Sequence, residues 1–328
     1  MKRKILITGG CGYFGVVLID KLLKKNYDVI AIDPLWYGIS PIKNFQKNKN
    51  FTIHVGEISD KYLMDKAVKG VDTIVHLSGL SNDPSSEINQ AFTEKQNIEN
   101  TKYLLENCSK HKVKKLIFAS SCSVYGFNDK EILNENSPLN PQTAYAKSKI
   151  EGEKIIIEAG MDDCQTTILR KATLFGFSSR MRFDLVINIM TAQALTENKL
   201  TVNGGKQWRP FIHVNDAADA YIYFIEEKYR KSEPEIYNLG FNQMNYKIID
   251  LSEKIKEIIP SVNILNSHNE DNRSYQVDFK KFEALGLKCI YDLDTGVLDL
   301  IKKIPSLKAD YKDLNFYNIK RMISYLNI

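Results

Sequence analysis

A phenol and an ammonium stand four residues apart in the run Tyr145-Ala146-Lys147-Ser148-Lys149, inside a stretch over 143–159 with helical spacing. Four residues is just over one turn, so the two groups share a helix face. That spacing alone is common on helix surfaces, and its chemical weight comes from two other segments. One is the hydroxyl-rich turn Ser120-Ser121-Cys122-Ser123-Val124-Tyr125-Gly126, which follows the apolar run Leu116-Ile117-Phe118-Ala119. The other is Gly9-Gly10-Cys11-Gly12-Tyr13-Phe14-Gly15, which joins the apolar strand Lys4-Ile5-Leu6-Ile7-Thr8 to helical spacing through Val17, Leu18 and Leu22. Glycines at 9, 12 and 15 permit a tight turn, close approach of backbone to a pyrophosphate, and close packing of helix on strand. The helix start adds free N–H groups and the positive end of a dipole, so the loop reads as a phosphate cradle.

A second apolar strand, Tyr27-Asp28-Val29-Ile30-Ala31-Ile32, ends in Asp33. About twenty residues past a glycine loop is where a carboxylate can accept both hydroxyls of an adenosine ribose. The same charge repels a 2′-phosphate, so NAD is expected as cofactor rather than NADP.

These groups need a frame. Apolar, β-rich runs recur at 51–55, 73–77, 116–119 and 166–169, separated by helical stretches over 60–69, 87–110 and 143–159. Alternating strands and helices predict an α/β fold, a Rossmann-type doubly wound parallel sheet that binds ligands at the carboxyl ends of its strands. Beyond residue 175 the elements shorten and mix, which predicts a smaller C-terminal substrate lobe. We therefore expect a dinucleotide-binding domain over 1–175 and a lobe over 176–328, with some of the latter returning to the sheet. The final stretch, 311–328, is expected to form a helix packed on the protein or a partner.

Bulk properties narrow the class. The 328 residues are 43% hydrophobic, enough for a large core, and the formal net charge of +5 is too mild and dispersed for a nucleic-acid binder. Five widely spaced cysteines suit reduced thiols in a cytoplasm, and their spacing implies no metal site. No signal-peptide pattern and no apolar run of membrane-spanning length is present, so a cytoplasmic protein without a membrane partner is expected.

Taken together, these pieces resemble the extended short-chain dehydrogenase/reductase family, specifically its nucleotide-sugar epimerases and dehydratases. The resemblance spans nearly the whole chain. It rests on the three glycines, Asp33, Gly56-Glu57-Ile58, His76-Leu77-Ser78-Gly79-Leu80, Asn97, the 121–126 turn, Tyr145 with Lys149, the 170–176 segment and Arg209-Pro210-Phe211-Ile212-His213-Val214. It implies Ser121, Tyr145 and Lys149 as catalytic groups: Tyr145 the acid/base, Lys149 its electrostatic helper and ribose ligand, Ser121 a hydrogen-bond partner of the developing carbonyl. A free phenol with pKa near ~10 is a poor base, but a nearby ammonium and an oxidised nicotinamide favour phenolate.

The resemblance further implies that Tyr13 binds the cofactor, that Phe14 lies at its pyrophosphate through its backbone, Glu57 and Ile58 by the adenine, and Leu77, Ser78, Gly79 and Asn97 along the cofactor. Glu57 departs from the Asp more usual in the family. The implied partner is a nucleoside diphosphate sugar, whose two phosphate charges call for arginine forks. Arg182, Arg209 and Arg273 are the candidates, with Ser81, Ser123 and Thr173 as further substrate contacts. Thr173 stands where many relatives keep Asn, and Ser179-Arg180-Met181-Arg182-Phe183-Asp184 marks a less explored branch.

Family dehydratases keep an acid and a base directly after the catalytic hydroxyl, whereas this chain has Cys122 and Ser123. Epimerisation is therefore expected, through transient oxidation of a ring carbon, C4, to a ketone on one recycled NAD. The alternatives are net NAD-dependent oxidation or reduction at one carbon and, as a minor reading, a non-catalytic NAD-binding sensor or scaffold. Relatives commonly dimerise through helices corresponding to 87–110 and 143–159, so a homodimer is expected, serving polysaccharide or glycoconjugate synthesis.

Overall fold

The computed structural model describes residues 3–161, 163–231, 233–267 and 273–327. Asp271 and Asn272, which precede Arg273, lie outside them. In chain order the strands are β1 (Lys4–Thr8), β2 (Asp28–Asp33), β3 (Phe51–Val55), β4 (Thr73–His76), β5 (Lys115–Ser121), β6 (Phe127–Leu133), β7 (Gln165–Lys171), β8 (Thr173–Phe175), β9 (Lys199–Asn203), β10 (Trp208–His213), β11 (Glu235–Leu239), β12 (Asn245–Lys247), β13 (Asn263–Ser267) and β14 (Ser274–Val277). Seven of them form one parallel sheet in the order β11-β7-β5-β4-β1-β2-β3. The chain leaves β1 toward β2 and β3 on one side and resumes with β4 on the other. The carboxyl ends of β1 and β4 thus flank a switch point, where such sheets open a ligand crevice.

The sheet strands are apolar on both faces, as parallel strands sandwiched between helices must be. Ile5, Leu6, Ile7, Val29, Ile74 and Val75 have no solvent exposure. β11 completes the sheet edge from beyond residue 175, and the helix Val214–Glu226 packs on the first helix, Tyr13–Lys24. The three smaller sheets (β12-β10-β8, β13-β9 and β14-β6) lie mostly in the later half of the chain. All five cysteines are free, and among the described residues no helix is long and apolar enough to cross a membrane.

Two expected helices differ in detail. The stretch 87–110 is divided into Asp83–Glu87, Gln90–Glu94, a π-helical turn Lys95–Glu99 and Asn100–Lys110. The chain restarts because Asn89 is extended and its side chain accepts a hydrogen bond from Phe92 N at 2.9 Å, an N-cap that ends the preceding helix. At the C-terminus the helix covers only Asn318–Leu326, after a short turn capped by Asp313.

Beneath the hydroxyl-rich turn lies a buried ion pair. Arg170 on β7 meets Glu153 of the helix Ala144–Glu158 at 2.7 Å, with both side chains at most 4% exposed. Ser120 also bonds Glu153, and Arg170 reaches Tyr125 Oη at 3.2 Å. Removing one partner strands the other charge in the core, so Glu153→Gln should cost about 3–5 kcal/mol. Urea unfolding measures this; a loss below about 1 kcal/mol would show that the pair does not hold helix to sheet.

Candidate active site

A cleft of about 560 Å³ runs across the carboxyl ends of β1, β2, β4, β5 and β7. Its first wall is the glycine loop. Gly9 has φ +68°, and a Cβ there would come 2.8 Å from the Ser78 backbone. A Cβ on Gly15 would meet the Gly10 carbonyl at 2.5 Å, so the helix can sit against the loop only without a side chain. Gly12 caps Tyr13–Lys24 without a side-chain bond, and the first turn carries no acidic residue. The first-turn N–H groups thus face the cleft without a competing carboxylate, which suits a pyrophosphate.

Asp33 closes the same end. Its carboxylate accepts hydrogen bonds from Cys11 N at 2.9 Å and Leu35 N at 2.8 Å, which ties β2 to the loop. Burial pushes its pKa up, outweighing these two bonds. At the switch point, Thr8 Oγ1 bonds His76 Nδ1 at 2.7 Å, and His76 Nε2 lies 3.2 Å from Thr101 Oγ1. Burial lowers the His76 pKa to about 3, so it is a neutral fastener. The turn that follows brings Leu77, Ser78 and Gly79 to the cleft.

Not every expected cofactor residue lines the cleft. Ile58 is packed in the core with Met64 and Ile74, and Glu57 acts on Asp33 only electrostatically. Asn97 accepts from Leu80 N at 2.8 Å and donates to Leu80 O and Ser148 Oγ, so it braces the 77–80 turn from behind. Tyr13 lines the cleft, but its hydroxyl donates to Gly176 O at 2.6 Å and meets Asn188, pinning the loop to the later part of the chain.

The reaction end is built by β5 and the helix Ala144–Glu158. Thr143 caps that helix by accepting from Ala146 N at 3.1 Å. Tyr145, Lys149 and Glu153 then fall on one stripe at four-residue intervals, all buried. Tyr145 is hydrogen-bonded to Ser121 at the end of β5, and both line the cleft. Burial raises the phenol well above its ordinary range, while the Ser121 bond opposes that rise. Lys149 Nζ lies 5.7 Å from the Tyr145 ring centre; burial lowers its pKa to about 8, against the pull of Glu153.

Of the proposed substrate groups, Ser81, Ser123, Thr173, Arg182, Arg209 and Arg273 all line the cleft. Ser123 Oγ is buried with no hydrogen-bond partner among the described residues. Arg182 has spent its fork on Asp184, through Nε and Nη2 both at 2.9 Å, and Asp184 also accepts from Asn82 and Asn318. Arg209 Nη1 donates to the carbonyls of Trp208 and Arg273, with its guanidinium over the Tyr275 ring. Arg273 pairs with Asp83.

Among the charged and polar cleft residues that sequence reasoning missed are Asp83, Lys171, Arg180 and Asn318. Asp83 opens a short helix and Lys171 ends a strand, positions where charges ordinarily face water. Arg180 stacks 3.9 Å over Tyr37 and donates to Asn318 Oδ1. Asn318 itself belongs to the C-terminal helix, which packs Met322 against Trp36 and Leu80. The Arg-x-Arg-x-Asp spacing was the one visible signal, since opposite charges two apart outside a helix can pair directly.

The comparisons with known proteins bear on this geometry. Residues 5–240 match the model of the NAD dependent epimerase/dehydratase family. A putative UDP-glucose 4-epimerase from Methanocaldococcus jannaschii is 31% identical over 301 residues, covering 89% of this chain and 95% of that protein. A dTDP-D-glucose 4,6-dehydratase from Dictyostelium discoideum is 30% identical, covering 78% of this chain and 62% of its own. Among solved structures, a UDP-glucuronic acid 4-epimerase from Bacillus cereus, in complex with UDP-glucuronic acid and NAD, superposes with a TM-score of 0.81 at 26% identity, covering 93% and 99% of the two chains.

Asp33→Asn keeps the shape but replaces one acceptor oxygen by a donor that opposes a backbone N–H. We expect NAD affinity to fall about 10- to 100-fold and the preference over NADP to narrow, as read by calorimetric titration of both dinucleotides. Unchanged affinity for both would remove Asp33 from cofactor recognition.

Proposed function

The chain belongs to the NAD dependent epimerase/dehydratase family, and we propose that within it the protein is a nucleotide-sugar epimerase acting through transient oxidation of ring carbon C4. The observation that carries this reading is the buried Tyr145–Ser121 pair facing the cleft, with no carboxylic acid in the two positions after Ser121. Cys122 is 1% exposed, its thiol donates to Arg170 O at 3.1 Å, and burial raises its pKa strongly. Such a thiol is a poor proton donor to a leaving hydroxyl. Asp83, the carboxylate nearest in kind, is committed to Arg273 and Thr143.

When bound, NAD supplies a hydride acceptor and donor at its nicotinamide ring. The chain does the rest. Tyr145 takes the proton of the hydroxyl on the reacting carbon and later returns it to the same oxygen. Ser121 donates a hydrogen bond to that oxygen as it becomes a carbonyl. Arg209 and Arg273 lie side by side in the cleft and offer guanidinium N–H groups to the two phosphates of a nucleoside diphosphate.

The test is to incubate the purified protein with UDP-glucose and UDP-glucuronic acid, without added cofactor, and analyse the sugars by NMR. Formation of the C4 epimer with no net NADH is expected. Stoichiometric NADH with a released ketosugar would replace the epimerase reading by a dehydrogenase. Tyr145→Phe should lower kcat by about 10²- to 10⁴-fold, and unchanged turnover would remove Tyr145 as the acid/base.

A further inference from the structure

A second lysine faces the reaction centre. Lys171 ends β7 and pairs in register with Ser121 on β5, so its Cα is the direct cross-strand neighbour of the catalytic serine. Its side chain lines the cleft on the face opposite Arg170. Its Nζ stands 5.5 Å from the Phe14 ring centre and 5.9 Å from that of Tyr221. No carboxylate and no hydrogen-bond acceptor among the described residues is paired with that nitrogen. Tyr221, packed 4.9 Å from Phe14, has a fully buried hydroxyl that is also without a partner. Lys171 is only partly exposed above this aromatic floor, and the buried Tyr221 hydroxyl beside it is costly unless a ligand completes it.

We propose that Lys171 places a positive charge under the nicotinamide ring and so biases the bound dinucleotide toward its reduced, uncharged ring. NAD and NADH share every group except that ring, which carries one positive charge only when oxidised. A nearby cation therefore disfavours NAD and leaves NADH almost untouched. For an enzyme that must hold a hydride while a ketosugar turns over, this bias keeps the hydride in the site. The inference rests on the reading that the ring lies beside Tyr145, but not on the identity of the sugar.

The charge is conditional. Burial and the charge of Lys149 lower the Lys171 pKa to about 7. The groups around it are Ser121 on β5, Phe14 on the first helix, Tyr221 on the helix Val214–Glu226, and Tyr145 and Lys149 on the helix Ala144–Glu158. Of these, Lys149 is the one that is charged near neutrality. The bias should therefore be strong on the acid side of pH 7 and weaken above it.

Competition between NAD and NADH for the purified enzyme, read from the fluorescence of bound NADH without sugar, gives the ratio of the two affinities. At pH 6, Lys171→Met should lower the preference for NADH about tenfold, equivalent to a fall of about 30 mV in the bound two-electron couple. Lys171→Arg stays charged and should retain the preference above pH 7, where the wild type loses it. A Met variant within twofold of the wild type at pH 6, or an Arg variant that loses the preference in step with the wild type, would overturn the proposal. Turnover does not enter this measurement, so a failed epimerase assay and a failed affinity ratio are separate results.

Discussion

The site depends on the enclosure of one phenol. Water is the solvent that makes a tyrosine's ionisation tolerable, and Tyr145 is only 8% exposed. Burial alone thus drives it away from the phenolate that the proposed chemistry requires, and Asp83 pushes the same way. Ser121 and the Arg182 guanidinium act in the other direction but do not win in the protein by itself. In the proposed reaction, bound NAD and an aligned sugar hydroxyl would have to complete the base. Without ligands the Tyr145 phenol is therefore held in its protonated form.

Two alternating strands set the arrangement. Ser120 and Arg170 are register partners on one face of the sheet, where they close on Glu153; Ser121 and Lys171 are the next pair and point to the other environment. The helix Ala144–Glu158 has a matching stripe, with Tyr145 at the mouth, Lys149 one turn in and Glu153 at the anchor. Glu153 therefore serves twice. It neutralises Arg170, and it sustains the charge of Lys149 against burial. A buried ion pair is weak evidence for stability in general, but here its geometry fixes the height of the catalytic stripe against β5.

What the sequence made legible was local. The glycine loop, Asp33 and the Tyr145/Lys149 spacing each lie within a few residues of the turn or helix that orients them, and periodicity recovered six strands of the main sheet. The rest depends on partners distant in sequence. Arg182 read as a free fork because Asp184 faces it only through the turn held by Asn82 and Asn318, the latter 134 residues further on. Lys171 was invisible because a lysine at a strand end is ordinarily hydrated, and only the fold places it over Phe14 and Tyr221. The break near residue 89 was missed because a single asparagine cap overrides an otherwise helical pattern, and the π-turn behind it brings Asn97 to Leu80.

The arginines proposed for the substrate and the helix that carries Tyr145 are not independent parts. Arg209 bonds the carbonyl of Arg273, Arg273 pairs with Asp83, and Asp83 accepts from the Thr143 hydroxyl, which in turn receives Ala146 N as the cap of the helix carrying Tyr145. Glu87 adds a second tie, accepting from Ala144 N at 2.7 Å. The short helix Asp83–Glu87 is thereby strapped between the arginine side of the cleft and the first turn of the helix that carries Tyr145. Arg273, Asp83 and Thr143 thus link the two ends of the cleft through a run of polar side chains that lies outside the sheet.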